Sequence, residues 1–474
     1  MVKILKNNIF KEIPLVSEPE VDKLLAKAFH GFNKKIIVLD DDPTGVQTIH
    51  DISVYTDWSD KSIAAGFAEN RSMFFILTNS RAFSAEYTEK VHEEIASRIV
   101  KESQRCGKDF MIISRSDSTL RGHYPLETKT LRNTLEKNTK TKIDGEILMP
   151  FFKEGGRFTI GNIHYVQEGD YLIPAGETEF AKDKTFAYNA SDMCAYVEEK
   201  THGEYKAADT TCISLDDLRN LKIDSICNQL MQVNNFNKII VNAVDYVDVK
   251  IFAAALIQAM KAGKNFMFRT AAAFTKVIGN IPDKPLLRRS ELVATENKNG
   301  GLIIVGSHVQ KTTDQLNELM KNPHIKFIEF NHLLVLNPTK LATELTKIIK
   351  STEDFIKKGE TVTVFTGRKR FDAGSEEESL RISVKISEAI TSIVGRLSVQ
   401  PSFLIAKGGI TSSDVGTKGL SVKRALVLGQ VAPGIPVWKT GKESKFPGMS
   451  YIIFPGNVGA VDTLRQVVDM LSTH

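Results

Sequence analysis

Cysteine is scarce in this chain. There are four thiols, Cys106, Cys194, Cys212 and Cys227, in 474 residues. None belongs to a Cys-x-x-Cys pair and their spacing fits no zinc module, which excludes a disulfide-stapled scaffold and a structural zinc site. All four read as reduced thiols, in keeping with a cytoplasmic protein. Long apolar runs are missing too. No stretch is long enough to cross a bilayer, so no membrane partner is expected. The region from Met1 to Phe32 scatters Lys and Glu where a leader would be apolar, so no signal peptide is expected. A large charge of one sign is also absent. Lys and Arg total 62 against 57 Asp and Glu, a formal net charge of +5. That does not argue for nucleic acid, but it suits an anionic ligand held locally. There is no low-complexity segment and no short repeat. Tryptophan is rare, and Trp58 and Trp438 read as packing residues. Several fingerprints are missing: Gly-x-x-x-x-Gly-Lys-Ser/Thr, Gly-x-Gly-x-x-Gly after a strand, Gly-x-Ser-x-Gly and His-Glu-x-x-His. No covalent nucleophile is indicated.

What remains is an ordinary globular composition, 42% hydrophobic and 25% charged, long enough for two or three domains. The stretch from Lys35 to Thr48 is its focus. Ile36 to Leu39 is a β-branched run of the kind buried on both faces in a parallel sheet. Asp40, Asp41 and Asp42 follow directly. Pro43 stops the ladder, and Gly45 permits a turn with positive φ. Three carboxylates are thus delivered to the carboxyl end of a strand, where ligands sit in open α/β sheets. Such a cluster is costly unless a cation or a donor-rich ligand neutralises it; a solvated acidic turn is the plainer alternative.

The pattern recurs. Met73 to Leu77 runs into Thr78-Asn79-Ser80-Arg81. Ser84 caps a helix from Ala85 to about Ser103, with Val91, Ile95 and Ile99 inward. Phe110 to Ile113 runs into Ser114-Arg115-Ser116-Asp117-Ser118-Thr119-Leu120-Arg121-Gly122. Further strands fall at 147–151, 238–241 and 265–268, and 157–186 reads as a β-hairpin excursion outside the main sheet. Strands alternating with helices indicate βαβ units. The arginines beyond these strand ends, Arg81, Arg115 and Arg121, are suited to carboxylate or phosphate. Clustered with Ser80, Asp117, Ser118 and Thr119, they suit a small, anionic, hydroxylated ligand. His50, His123, His164 and His308 are candidate acid/base groups, though a satisfied structural histidine is the simpler reading of each.

Residues 282–301 are polar and punctuated by proline and glycine, which marks a linker. A second α/β series follows, with strands at 302–305, 326–330, 361–365 and 402–406 and helices between. Three glycine turns lie at its strand ends: Gly306-Ser307-His308, Lys407-Gly408-Gly409-Ile410-Thr411-Ser412, and Pro455-Gly456-Asn457-Val458-Gly459. Glycines that let backbone N–H groups approach a ligand, hydroxyls beside them, and a helix N-terminus make a phosphate site.

Several of these motifs occur together in one known family. Asp41-Asp42-Pro43-Thr44-Gly45 resembles the Asp-Asp-x-Thr-Gly signature of the four-carbon acid sugar kinases, the ATP-dependent kinases of 3-oxo-tetronate, threonate and erythronate. Asp117-Ser118-Thr119-Leu120-Arg121-Gly122 is similar to their second signature. Gly408-Gly409-Ile410-Thr411-Ser412 resembles their nucleotide turn, with Ile410 where many members carry an acidic residue. Ala432-Pro433-Gly434-Ile435-Pro436 and Gly456-Asn457-x-Gly459 follow in the family's order. The resemblance implies an acid-sugar domain followed by a nucleotide domain, with ATP contacting Ser307, the turn of Gly408, Gly409, Ile410 and Thr411, and Gly456.

The reading is therefore two open, parallel-sheet, Rossmann-like α/β domains with a cleft between them. Residues 1–281 would bind the acid sugar and 301–474 the nucleotide. The activity would be phosphoryl transfer from Mg-ATP to a hydroxyl of a small sugar acid. Asp41 and Asp42 would be catalytic, with Asp42 the general base and Asp41 helping to hold Mg²⁺. Thr44, Ser80, Arg81, Arg115, Asp117, Ser118, Thr119 and Arg121 would face the acid. No complete set of metal ligands is assigned, and a homo-oligomer is left open. A carboxylate-activating ligase and a non-catalytic sugar-acid or nucleotide sensor are the rival functions.

Overall fold

The computed structural model describes residues 4–368, 376–456 and 458–472. Its contacts divide the chain into two compact units. The first holds Met1–Gly45 and Asp57–Pro282, the second Val46–Thr56 and Asp283–His474.

In the first unit seven strands run parallel. Their spatial order is Thr211–Ile213, Asn237–Val241, Gly145–Met149, Phe266–Thr270, Phe110–Arg115, Lys35–Asp40 and Met73–Leu77. Lys35–Asp40 is buried along its whole length, as a continuous apolar run covered on both faces must be. The helix Ala85–Cys106 begins where Ser84 accepts from the Tyr87 N–H, and it buries Val91, Ile95 and Ile99. The helix Tyr246–Lys261 is capped by Asp245 and apolar on most faces. The register sets Asp40 beside Leu77 and Arg115, Arg115 beside Thr270, and Thr270 beside Met149. One carboxyl edge therefore collects the polar turns of five strands. The excursion at 157–186 is a separate antiparallel sheet of Arg157–Ile160, Ile163–Glu168 and Tyr171–Pro174, joined by Leu5–Lys6.

The second unit is also an open α/β sheet, in the order Ser53–Tyr55, Arg424–Ala432, Ile435–Thr440, Ser450–Phe454, Leu404–Lys407, Leu302–Val305, Val362–Thr366 and Lys326–Phe330. The last five run parallel to one another, but the first three join antiparallel. The cause is local. Pro433 and Gly434, with Gly434 at φ 74°, form a tight turn that folds Ile435 back onto Ala432, and a two-residue connection permits only antiparallel pairing.

Of the expected linker at 282–301, all but Pro282 is instead part of the second unit. Leu287, Leu292 and Val293 are buried in its core, and the Leu287 N–H donates to the Gln430 carbonyl at 2.8 Å. Three apolar side chains set among polar ones gain more from burial than a free connector would.

Candidate functional site

Asp40 is the last residue of its strand. Its carboxylate accepts from Arg115 Nη1 at 3.0 Å and from the Asp42 N–H at 3.3 Å. Burial drives it up to about 7, Arg115 pulling the other way and Asp41 and Asp42 adding to the rise. Gly45 folds directly over this group. Its φ is not positive; glycine is required because a Cβ would collide with the Asp40 carboxylate. The expectation of a left-handed Gly45 is corrected to one of close approach.

Asp41 and Asp42 differ sharply. The Asp42 carboxylate accepts from the Thr44 N–H at 2.7 Å and pairs with Arg81 Nη2 at 2.5 Å. Burial pushes it up, but Arg81 and Thr44 hold it below the usual carboxylate range. Asp41 is 2% exposed, and neither of its oxygens accepts a hydrogen bond. It is held by charge alone, with Arg81 Nε at 3.3 Å and Arg115 Nη1 at 3.5 Å. Burial raises it to about 6 against both guanidiniums. A buried carboxylate without donors is costly and persists where something else makes it useful.

Asp117 accepts from Arg121 Nε at 2.7 Å and from the Thr119 N–H at 3.2 Å, with Arg81 Nη1 at 3.8 Å. Burial opposes ionisation, but Arg121 and Arg81 hold it well below the usual range. Arg81 thus touches Asp41, Asp42 and Asp117, joining two loops. Ser80 is fully buried and donates to Glu127 Oε1 at 2.5 Å; Ser118 and Thr119 are buried as well. Three side chains hold the carbonyls of consecutive loop residues. His164 Nε2 bonds the Ser118 carbonyl at 2.7 Å, the Tyr188 hydroxyl donates to that of Thr119 at 2.7 Å, and the Tyr196 hydroxyl to that of Leu120 at 2.9 Å. Leu120 sits at φ 68°, a conformation that such support stabilises. Beside this loop a small hollow, partly open to solvent, is lined by Ser116, Asp117, Tyr196, Arg269 and Thr270 among others.

In the second unit the three glycine turns meet. A Cβ on Gly306 would run into Thr411. Gly408 sits at φ 116°, where a Cβ would lie 2.8 Å from that of Ser307, and one on Gly456 would lie 3.6 Å from Ser307 Oγ. Lys407 is fully buried and donates from Nζ to the carbonyls of Pro455 at 2.6 Å and Gly456 at 3.2 Å. It ties two turns together, and burial brings it down to about 7. Gly409 opens a helix only as far as Asp414, so its macrodipole is slight, and exposed N–H groups are the feature left to meet an anion. The Ser412 hydroxyl donates to the Ala406 carbonyl at 2.8 Å, so it is spent internally. Ile410 is 70% exposed. Asn457 lies outside the described residues.

Two models of known domains cover the chain: a sugar-binding N-terminal domain over residues 36–278 and a nucleotide-binding C-terminal domain over 302–464. The chain belongs to the four-carbon acid sugar kinase family. As a member of this kinase family it is an ATP-using enzyme with a sugar-binding and a nucleotide-binding domain. No curated protein matches it. Solved structures that share its fold include two from bacteria. One, from Salmonella typhimurium LT2, is 14% identical, with 90% of this chain and 97% of that one covered and a TM-score of 0.64. The other, from Haemophilus influenzae, is 15% identical, with 92% and 100% covered and a TM-score of 0.58. Among the described residues no helix is long and apolar enough to cross a membrane.

Three residues of the candidate site carry no signal in the sequence. Arg269 ends the strand Phe266–Thr270, lines the hollow and bonds Glu127 and Ser114 Oγ, the latter at 3.0 Å. Glu127, held down to about 2 by Arg269 and His92 against burial, stands on the helix Leu126–Asn138. In the second unit Arg368 follows the strand Val362–Thr366. Its Nη2 donates to the Ser307 carbonyl at 2.8 Å and to Thr313 Oγ1 at 2.6 Å, while Nε and Nη1 are buried without a partner among the described residues. The four histidines are engaged by the protein, His50 with Asp51, His123 with the Phe83 carbonyl, His164 as above and His308 with the Gly367 carbonyl.

Proposed function

We propose that the protein transfers the γ-phosphoryl group of ATP to a hydroxyl of a small, four-carbon sugar acid. The observation that carries this reading is Asp41: a carboxylate at a strand end, buried, bare of hydrogen-bond donors and raised to about 6. A hydroxyl brought against it supplies the missing donor, and a base near neutrality takes the proton late in transfer. Asp42, already occupied by Arg81 and Thr44, is the poorer base, which reverses the choice made from sequence. Arg81 and Arg121 present charge toward the acid. Arg115 compensates Asp40 and Asp41, and Thr44, Ser80, Ser118 and Thr119 shape the loops that hold them. Ser307, Gly408, Gly409, Ile410, Thr411 and Gly456 would bind ATP, with the two bare nitrogens of Arg368 suited to a phosphate. Among the described residues no group of three or more His, Cys, Asp or Glu is placed to ligate a metal. Magnesium, which neutralises phosphate charge, would be held chiefly by the nucleotide's own oxygens.

The test is an ATP-consumption screen over threonate, erythronate and related acids, with the product mass measured and hydroxylamine added. A stable phosphate ester is expected. A hydroxamate would show an acyl phosphate and overturn the kinase reading in favour of carboxylate activation, and binding without turnover would leave a sensor.

A further inference from the structure

Two of the four thiols have come together. Cys194 is near the start of the helix Met193–Lys200, where Asp192 caps its N–H at 2.9 Å. Cys212 is the middle residue of the strand Thr211–Ile213, paired through Ile240 of Asn237–Val241. Their sulfurs lie 3.3 Å apart. Cys194 is buried, and Cys212 is half-buried and so reachable from solvent. We propose that Cys194 and Cys212 are an oxidisable thiol pair that closes into a disulfide beside the hollow of the first unit.

Either sulfur can donate to the other across this contact. Cys212 is the half-buried one of the two, so it is the sulfur that an oxidant reaches first. Cys212 is then the attacking thiolate. With hydrogen peroxide as oxidant, the Cys212 sulfur attacks one oxygen and the O–O bond breaks. Cys212 becomes a sulfenic acid, and the departing hydroxide takes up a proton to leave as water. Cys194 then attacks the sulfenic sulfur, the S–O bond breaks, and a second water leaves with the Cys194 proton. Two thiols give up two electrons in all, and the peroxide accepts both.

Closure has a mechanical effect. A disulfide holds its sulfurs at about 2.05 Å, so the pair must draw together by roughly an ångström from its present separation. Met193 and Tyr196, on either side of Cys194, both line the hollow, and the Tyr196 hydroxyl holds the Leu120 carbonyl at 2.9 Å. Pulling the start of this helix toward the strand loosens that hold on the Asp117–Gly122 loop.

The full-length protein is treated with dilute hydrogen peroxide, alkylated, digested without reduction and mapped by mass spectrometry. The expected result is a linked Cys194–Cys212 peptide with Cys106 and Cys227 still alkylated. Amide hydrogen exchange across 116–122 should rise about threefold or more, as local opening becomes easier, and dithiothreitol should reverse it. In Cys194→Ser, which lacks the resolving thiol, Cys212 should instead be trapped as a sulfenic acid by dimedone, with exchange unchanged. Two alkylated thiols after treatment, a sulfinic acid on Cys212 with no link in the wild type, or a link that leaves loop exchange unaltered would each overturn the proposal. Neither readout involves substrate, so its failure leaves the kinase reading untouched.

Discussion

At the scale of single residues, neighbouring carboxylates take different work because their neighbours differ. Asp41→Asn keeps the shape but cannot accept a proton, so kcat should fall about 10²–10⁴-fold with KM little changed. Asp42→Asn should mainly raise KM, since Arg81 loses its closest partner. The base acts only when deprotonated, and Asp41 is raised to about 6, so kcat/KM should fall as pH drops through that value. A limb below pH 4 would return the role to Asp42. In the second unit, Arg368→Ala removes a guanidinium with two bare nitrogens, and a lost charge-assisted bond of roughly 1.5–3 kcal/mol means a KM for ATP raised about tenfold or more. Initial-rate kinetics with each substrate varied decide both. Lys407 gives a stability test. Burial lowers it to about 7 from an ordinary value of 10.5, so between these values the unfolded chain binds the extra proton and stability rises with pH. Relative to Lys407→Met, the wild type should gain about 2 kcal/mol between pH 7 and 9 in urea unfolding. The sequence made the triple aspartate visible, but not which member is bare. That depends on Arg81, 40 residues downstream, and on an N–H from Thr44. Arg368 and Arg269 belong to no recognisable pattern.

At the scale of elements, buried parallel strands were legible because each is a continuous apolar run ending in polar residues, and the helix at Ala85 because Ser84 announces it. The helix Leu126–Asn138 was not. Its buried face includes Glu127, Thr128, Thr130 and Thr134, so no apolar stripe betrays it; these side chains are buried for their partners rather than their hydrophobicity. The same holds for the support of the loop at 116–122. Its three clamps come from a hairpin strand, a coil and a helix, which no local motif connects. Tyr196→Phe and Tyr188→Phe each leave a buried carbonyl short of a donor, at a cost of about 1–3 kcal/mol. Both should raise KM for the acid while leaving that for ATP unchanged. Gly456→Val tests the glycine turns: its contacts are ordinary in distance, so thermal unfolding should hardly shift. The space before Ser307 is filled, however, and ATP binding by calorimetry should be lost.

At the scale of the whole molecule, the two units are not two consecutive lengths of chain. A boundary near 282 is legible from composition, but the transfer of Val46–Thr56 to the second unit is not, because a three-residue strand shows nothing of a partner so distant. Val54, buried in that strand and paired with Ala425, makes the point testable. Val54→Asp buries an unpaired charge and should speed amide exchange through Arg424–Ala432 while leaving Phe110–Arg115 protected. Ser53 and Arg424, which share hydrogen bonds, are 371 residues apart. At ribosomal speeds of about 5–20 residues per second, the early segment waits roughly 20–70 s for the later one to be made. Val54 is buried in the finished protein, yet its antiparallel partner Ala425 is made only at the end of that wait. The second unit is therefore completed only after the strand Arg424–Ala432 has been made, however early its first segment emerges.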